Sequence, residues 1–291
     1  MKLQTVVDIK PSEWKIGYED KILMLGSCFS DEIGEQMQQR NLHVTCNPFG
    51  TLYNPLSIAQ AINNQLPTTN DQLPLVEYDG LWHSMAHHGS FSRPTKEEAE
   101  QAVRASVETM QQALDEATVV IVTFGTAWVY EMNGETVGNC HKMPADWFTR
   151  RRLSVEEIVH AWQPIIECYP DKHWLFTVSP IRHIKDGLHE NQLSKATLLQ
   201  AIEQLTLPFR EGAGIGCSYF PSYEIVLDEL RDYRFYADDL VHPSSMAVNY
   251  IWERFVDTFC TPQTKNELVL QHKRWKHEHH IPLHRFRTGA D

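Results

Sequence analysis

The run Thr118-Val-Val-Ile-Val-Thr-Phe124 constrains the fold more than any other stretch of the chain. It is continuously apolar or β-branched, shows no alternation, and stops at Gly125. Such a run is the signature of a central parallel strand covered on both faces. The stretch before it, Thr95 to Ala117, reads as a long helix: Thr95 caps it, Glu97 and Glu98 sit in the first turn, and Val103, Val107, Met110 and Leu114 share a face. The same rhythm recurs. Ile22 to Leu25 is a short apolar run closing at Gly26, Val44 to Cys46 is a second, His173 to Val178 a third and Cys217 to Phe220 a last, with helical patterns between them. The spacing predicts an α/β fold, a doubly wound, mostly parallel sheet of about five strands flanked by helices. No stretch rich in Pro, Gly or Ser divides it. The expectation is one domain over 1–291, with its core at about 20–260, an insertion between the Val119 strand and the Ser154 helix, and a polar loop at 64–75. A solvated His- and Arg-rich tail is expected from about 265.

Charge and cysteine usage narrow the function. The formal net charge of −12 argues against nucleic acid as a partner, because phosphate binding needs a basic footprint. No apolar run is long enough to span a bilayer, and the first residues lack the apolar segment of a secretory signal. Six cysteines are scattered without CxxC spacing, which fits free thiols in a reducing compartment, so a cytoplasmic enzyme is the expectation. His83, His87, His88 and His141 match no zinc spacing. Neither a metal nor another cofactor is expected. The oligomeric state is not readable from the sequence.

Several polar clusters follow predicted strands and therefore gather on one edge of the sheet, the edge where ligands bind in open α/β folds. These are Ser27, Asn47 to Gly50, Gly125-Thr126, and Ser179 to His183. Ser27 sits on a strand-to-helix turn. Two readings fit it: a helix cap, or a nucleophile beside backbone N–H donors. Cys28 next to it reads as a small buried hydrophobe turned away from Ser27. Asp239-Leu-Val-His242 puts a carboxylate and an imidazole three residues apart, a spacing that on one helical turn lets Asp239 orient His242 as a base. Arg182 and His183 either bind a substrate carboxylate or phosphate or pair with the chain's own acids.

Gly26-Ser27-Cys28-Phe29-Ser30 resembles the signature of the GSCFA-domain family, with Ser30 in place of its alanine, and that family resembles the SGNH (GDSL-like) hydrolases. The resemblance extends through Asn47-Pro-Phe-Gly-Thr-Leu-Tyr-Asn-Pro55, Thr123-Phe-Gly-Thr-Ala-Trp128, Asn139-Cys-His-Lys142, Ser179-Pro-Ile-Arg-His183 and Asp239-Leu-Val-His242-Pro-Ser244. It implies a flavodoxin-like, SGNH-hydrolase-like sheet. It implies Ser27 as nucleophile with its own N–H in the oxyanion hole, Gly50 as a second oxyanion donor, and Asp239 with His242 as the remaining catalytic pair. The Gly-x-Asn-Asp usual in SGNH enzymes reads Gly125-Thr126-Ala127-Trp128 here, so Thr126, Asn47 or Asn139 replaces the missing donor, or the hole is weaker.

The function expected from this resemblance is hydrolysis of a small acyl ester, such as an O-acetyl group on a carbohydrate or related metabolite. Trp128, Asn139, His141, Arg182 and His183 are the candidates to line the substrate site, and Tyr53, Trp82 and Trp147 could add an aromatic wall. A non-catalytic ligand-binding protein on the same scaffold and an acyltransferase are the alternatives.

Overall fold

A computed structural model describes residues 4–63, 74–210 and 216–279. In chain order the elements are β1 (Lys21–Gly26), α1 (Cys28–Gln38), β2 (His43–Cys46), α2 (Pro55–Ile62), β3 (Leu75–Tyr78), β4 (Leu81–Ser84), α3 (Lys96–Glu116) and β5 (Val119–Phe124). Then come β6 (Trp128–Met132), β7 (Glu135–Val137), β8 (Thr149–Arg152), α4 (Val155–Cys168), β9 (His173–Val178), α5 (Leu188–Arg210) and β10 (Cys217–Phe220), and last two helices, α6 (Ser245–Phe259) and α7 (Pro262–Glu278).

Five strands form the central sheet in the order β10-β9-β5-β1-β2, and every pair is parallel. Numbered by their own sequence, these strands run 2-1-3-4-5, the flavodoxin-like doubly wound order. All six residues of β5 are buried, as its unbroken apolar run requires. At roughly 1.5–3 kcal/mol for each fully buried Val, Ile or Phe, this strand anchors the fold. One face packs with Leu23, Leu25, Trp162, Phe176 and Leu198 against α2, α3, α4 and α5. The other packs with Met24, Ile33, Leu175, Ile251 and Phe255 against α1 and α6.

The insertion after β5 is a three-stranded antiparallel sheet, β7-β6-β8, whose hairpin turns at Asn133-Gly134 with both residues at positive φ. A second hairpin, β3–β4, lies in a stretch whose sequence showed no period. One expectation needs revision. The region from 265 is helical to Glu278, and Leu268 is buried in the second core, so the tail begins later. Residues 280–291, and most of the polar loop expected at 64–75, lie outside the described residues.

Candidate active site

The sheet order changes direction between β1 and β5, so the crevice beyond their carboxyl ends is the topological switch point. β1 ends at Gly26 with φ +132°, where a Cβ would stand 2.1 Å from the Thr123 carbonyl oxygen of β5. Only glycine allows so close an approach. The chain then turns into α1. Ser27 is its N-cap, in extended geometry, and its Oγ accepts the Phe29 N–H (3.4 Å). Ser27 is 1% exposed. Ser30, where the family signature has alanine, is buried and satisfied: its Oγ donates to the Leu25 carbonyl (3.2 Å) and lies 2.8 Å from Thr123 Oγ1.

Cys28 is the first residue of α1 and half-buried, and its Sγ lies 3.8 Å from Nε2 of His242. The residue expected to be a buried hydrophobe is therefore the one whose side chain meets the imidazole, and the residue expected to be the nucleophile is the cap. The reason is helix geometry. An N-cap side chain folds back over the first-turn N–H groups, whereas the side chain at the next position projects outward. Burial pushes the Cys28 thiol above its ordinary range, Asp31 and then Glu32 push it further, and its own backbone N–H acts in the opposite sense.

His242 is oriented through its other nitrogen. Asp239 Oδ2 lies 2.6 Å from Nδ1, while Oδ1 accepts the N–H groups of Val241 (2.9 Å) and His242 (3.0 Å). The pairing assigns the proton to Nδ1 and leaves the Nε2 lone pair toward Cys28. Hydrogen bonds from the His242 backbone and side chain and from the Val241 N–H hold the Asp239 carboxyl down to about 2. The four residues do not form the helical turn expected from their spacing. Leu240 is at φ +58°, and α6 starts only at Ser245. The turn is held from outside: Ala237 N–H donates to the His242 carbonyl (2.8 Å), and Arg182 reaches it from β9's loop. Arg182 donates its backbone N–H to the Val241 carbonyl (3.2 Å), and its Nε (3.2 Å) and Nη2 both donate to the Leu240 carbonyl. The guanidinium lies 4.6 Å from the ring centre of Tyr236 and 5.5 Å from that of Tyr233.

Most of the expected oxyanion and substrate donors are occupied by the protein itself. Asn47 accepts the Gly26 N–H at Oδ1 and donates to Asp31 from Nδ2, both at 2.8 Å, so it clamps the end of β1. Gly50 donates its N–H to the Asn47 carbonyl (2.7 Å), and its φ of +74° brings it against His88. Thr126 donates its N–H to the Tyr53 carbonyl (2.9 Å), and its Oγ1 accepts the Trp128 N–H (3.1 Å) and meets Ser194 Oγ (3.1 Å). Asn139 accepts the His141 N–H (2.8 Å), and His141 Nε2 lies 2.8 Å from the Ser84 carbonyl. His141 is thereby tied to His83, ring to ring at 4.7 Å, in the hairpin layer. The Cys28 N–H, at the positive end of α1, is the backbone donor nearest the thiol.

His183 and Trp128 stand differently. Each has a buried ring nitrogen, Nε2 and Nε1 respectively, with no partner among the described residues. Burial, followed by the neighbouring Lys195 charge, pushes His183 down to about 4 against the favourable Gly125 carbonyl, so the ring is neutral at pH 7. Tyr53 meets it edge-on at 6.3 Å, and Arg150 covers the Trp128 ring at 4.2 Å. The sequence motifs did not single out Lys195, which is 1% exposed and donates from Nζ to the carbonyls of Gly125 and Ser179, both at 2.7 Å. A signal existed: Asn191, Ser194, Leu198, Ala201, Ile202 and Leu205 mark the buried face of α5 at helical spacing, and Lys195 falls on it.

The GSCFA family model matches residues 21–255, which span every element named above from β1 into α6. The chain belongs to the GSCFA family. No curated protein and no solved structure matches it. Within the matched region the β1–α1 turn uses Gly26 for the close strand approach, Ser27 for the cap and the half-buried Cys28 for the position that meets His242. Among the described residues no group of three or more His, Cys, Asp or Glu is arranged to hold a metal ion. No helix among them is long and apolar enough to cross a membrane.

Proposed function

We propose that this GSCFA protein is an acyl-ester hydrolase whose nucleophile is Cys28, with His242 as base and Asp239 as its orienting carboxylate. One observation carries the reading: Cys28 Sγ, His242 Nε2, His242 Nδ1 and Asp239 Oδ2 form an unbroken line with gaps of 3.8 Å and 2.6 Å. That is the nucleophile–base–orienter geometry of covalent catalysis. The raised thiol range speaks for a general-base route, in which the proton leaves during attack, over a resting thiolate.

In this scheme Nε2 takes the thiol proton as Sγ bonds to the ester carbonyl carbon. The tetrahedral intermediate collapses, the carbon–alkoxide oxygen bond breaks, and His242 returns the proton to the departing alcohol. Water then adds to the thioester with His242 again as base, releasing the acid and restoring the thiol. The Cys28 N–H at the start of α1 faces the developing oxyanion. General-base assistance of this kind contributes about 10²–10⁴-fold. The proposed substrate is a short acyl ester, such as an acetyl ester, on a carbohydrate or related small alcohol, in keeping with the SGNH-like order of the sheet.

The test is thiol alkylation and ester turnover on the same preparations. Iodoacetamide should add a carbamidomethyl group at Cys28, read by peptide mapping that separates it from the adduct expected at the exposed Cys168. Cys28→Ala should abolish both that adduct and the hydrolysis of p-nitrophenyl acetate. A fluorophosphonate adduct on Ser27, with ester turnover surviving Cys28→Ala, would return the nucleophile to Ser27.

A further inference from the structure

A cavity of about 150 Å³ lies beside the His242 turn, and Arg182, Asn191, Gln192, Tyr223, Leu188 and Val226 are among its walls. No residue that lines it is acidic. Its polar wall is made of donors. Asn191, which lines the cavity, is 2% exposed, and its Oδ1 accepts the His183 N–H (2.9 Å), which leaves Nδ2 without a partner among the described residues. Gln192 accepts the Tyr223 hydroxyl at Oε1 (2.7 Å), which fixes the amide with its N–H groups free. Arg182 holds the Leu240 carbonyl with Nε and Nη2, and its Nη1 has no partner among the described residues.

Leu188, Asn191 and Gln192 belong to the first turns of α5, a 23-residue helix, so the positive end of its dipole also faces this space. The acids nearby are engaged elsewhere: Glu224 accepts the Tyr219 hydroxyl (2.9 and 2.7 Å), Asp228 pairs with Arg231 (2.6 Å), and Glu190 faces Arg152 (3.5 Å). The Arg182 guanidinium thus carries its charge against aromatic rings and a carbonyl, with no carboxylate partner among the described residues. A fixed fork, two carboxamides and a helix terminus with no counter-charge call for an anion.

We propose that this cavity is a substrate subsite for a carboxylate group, so that the ester carries an acid function on its acyl or its alcohol part. Planar guanidinium and amide donors match a planar carboxylate, and Leu188 with Val226 gives the adjoining carbons an apolar wall. Arg182 connects the subsite to the chemistry, since the same side chain that meets the carboxylate holds the turn carrying Asp239 and His242. The inference rests on the proposed hydrolase reading for its role, but binding at the subsite can be measured without turnover.

The probe is succinate, with dimethyl succinate as its neutral counterpart, titrated into the full-length ¹⁵N-labelled protein while side-chain amide signals are followed. Succinate should give saturable shifts at Asn191 and Gln192, and the diester none. Arg182→Met and Gln192→Glu should each weaken succinate at least tenfold. Gln192 is exposed, so its variant keeps the test valid if Arg182→Met unfolds. Equal shifts from the neutral diester, unchanged binding in Gln192→Glu, or tighter saturation by inorganic phosphate would overturn the carboxylate assignment. The titration repeated in Cys28→Ala separates the two readings. Succinate binding there alongside surviving ester turnover refutes the cysteine mechanism and leaves the subsite standing. Lost turnover with no succinate binding in either protein refutes the subsite alone.

Discussion

Cys28 Sγ lies 3.8 Å from His242 Nε2, while the hydroxyl one residue earlier, Ser27 Oγ, is folded back onto the Phe29 N–H. The two neighbours divide the work of the turn: one begins the helix and the other meets the imidazole. The division separates a structural effect from a chemical one at adjacent positions.

Ser27→Ala should therefore cost stability through the lost cap, about 1 kcal/mol, and leave ester turnover within roughly tenfold of the wild type. Cys28→Ala should leave the melting temperature nearly unchanged and lower turnover by at least about 10³-fold. Denaturant midpoints and p-nitrophenyl acetate kinetics on both variants check the pair, and the reversed pattern would refute the assignment.

Asp239 makes three hydrogen bonds as a carboxylate, and these hold its acid range at about 2, below the ordinary 3.8. A depressed folded value contributes stability that is present above the unfolded value and lost as pH falls through the folded one. The Asp239 contribution should thus fade between about pH 4 and pH 2. In Asp239→Asn the melting temperature should change less across that window than in wild type. The same variant should lose about 10²–10⁴-fold in turnover, because a carboxamide no longer fixes the Nδ1–H tautomer.

Lys195 is buried without a carboxylate partner among the described residues, and burial lowers its range to about 7 from 10.5. The folded state binds this proton more weakly than the unfolded chain, so stability should rise as pH increases from about 7 toward 10.5. Lys195→Met removes the titrating group and leaves the Gly125 and Ser179 carbonyls without their donor. Its urea midpoint should be lower than wild type at high pH and should lack that rise. Parallel pH curves for the two proteins would refute the account.

At Gly26 a Cβ would fall 2.1 Å from the Thr123 carbonyl oxygen and would require φ +132° of a residue that resists it. Gly26→Ala should cost about 3 kcal/mol or more, since backbone on both sides must move. Gly134→Ala, also at positive φ but with open space around it, should cost about 1 kcal/mol. Chemical denaturation of the two variants measures the difference.

The fold was legible because it rests on local patterns. Each of the five strands carries an apolar run, Gly26 and Gly125 end two of them, and Thr95 and Ser154 cap the helices that were expected. The β3–β4 hairpin was not legible, since its burial shows no alternation and its buried residues, His83 and Ser84, are polar, and the C-terminal helix was missed because Leu268 is its one buried apolar residue among those described, with Val269 and Leu270 beside it exposed.

By itself the sequence determined a doubly wound parallel sheet and the edge at which its polar clusters gather, because strand periodicity and turn residues depend only on neighbours along the chain. It put Asp239 within reach of His242, but through a helical turn that does not form. Tertiary structure decided the rest. Whether Ser27 or Cys28 meets His242 depends on how α1 is aimed against a turn more than two hundred residues away. Whether Asn47 and Thr126 are free depends on backbone partners drawn from another strand and another loop. Arg182 reads in sequence as an anion binder or an ion-pair partner, and only its place between Tyr233, Tyr236 and the Leu240 carbonyl makes it a support of the His242 turn. Direction in space is a property of packing, and residue spacing along the chain does not contain it.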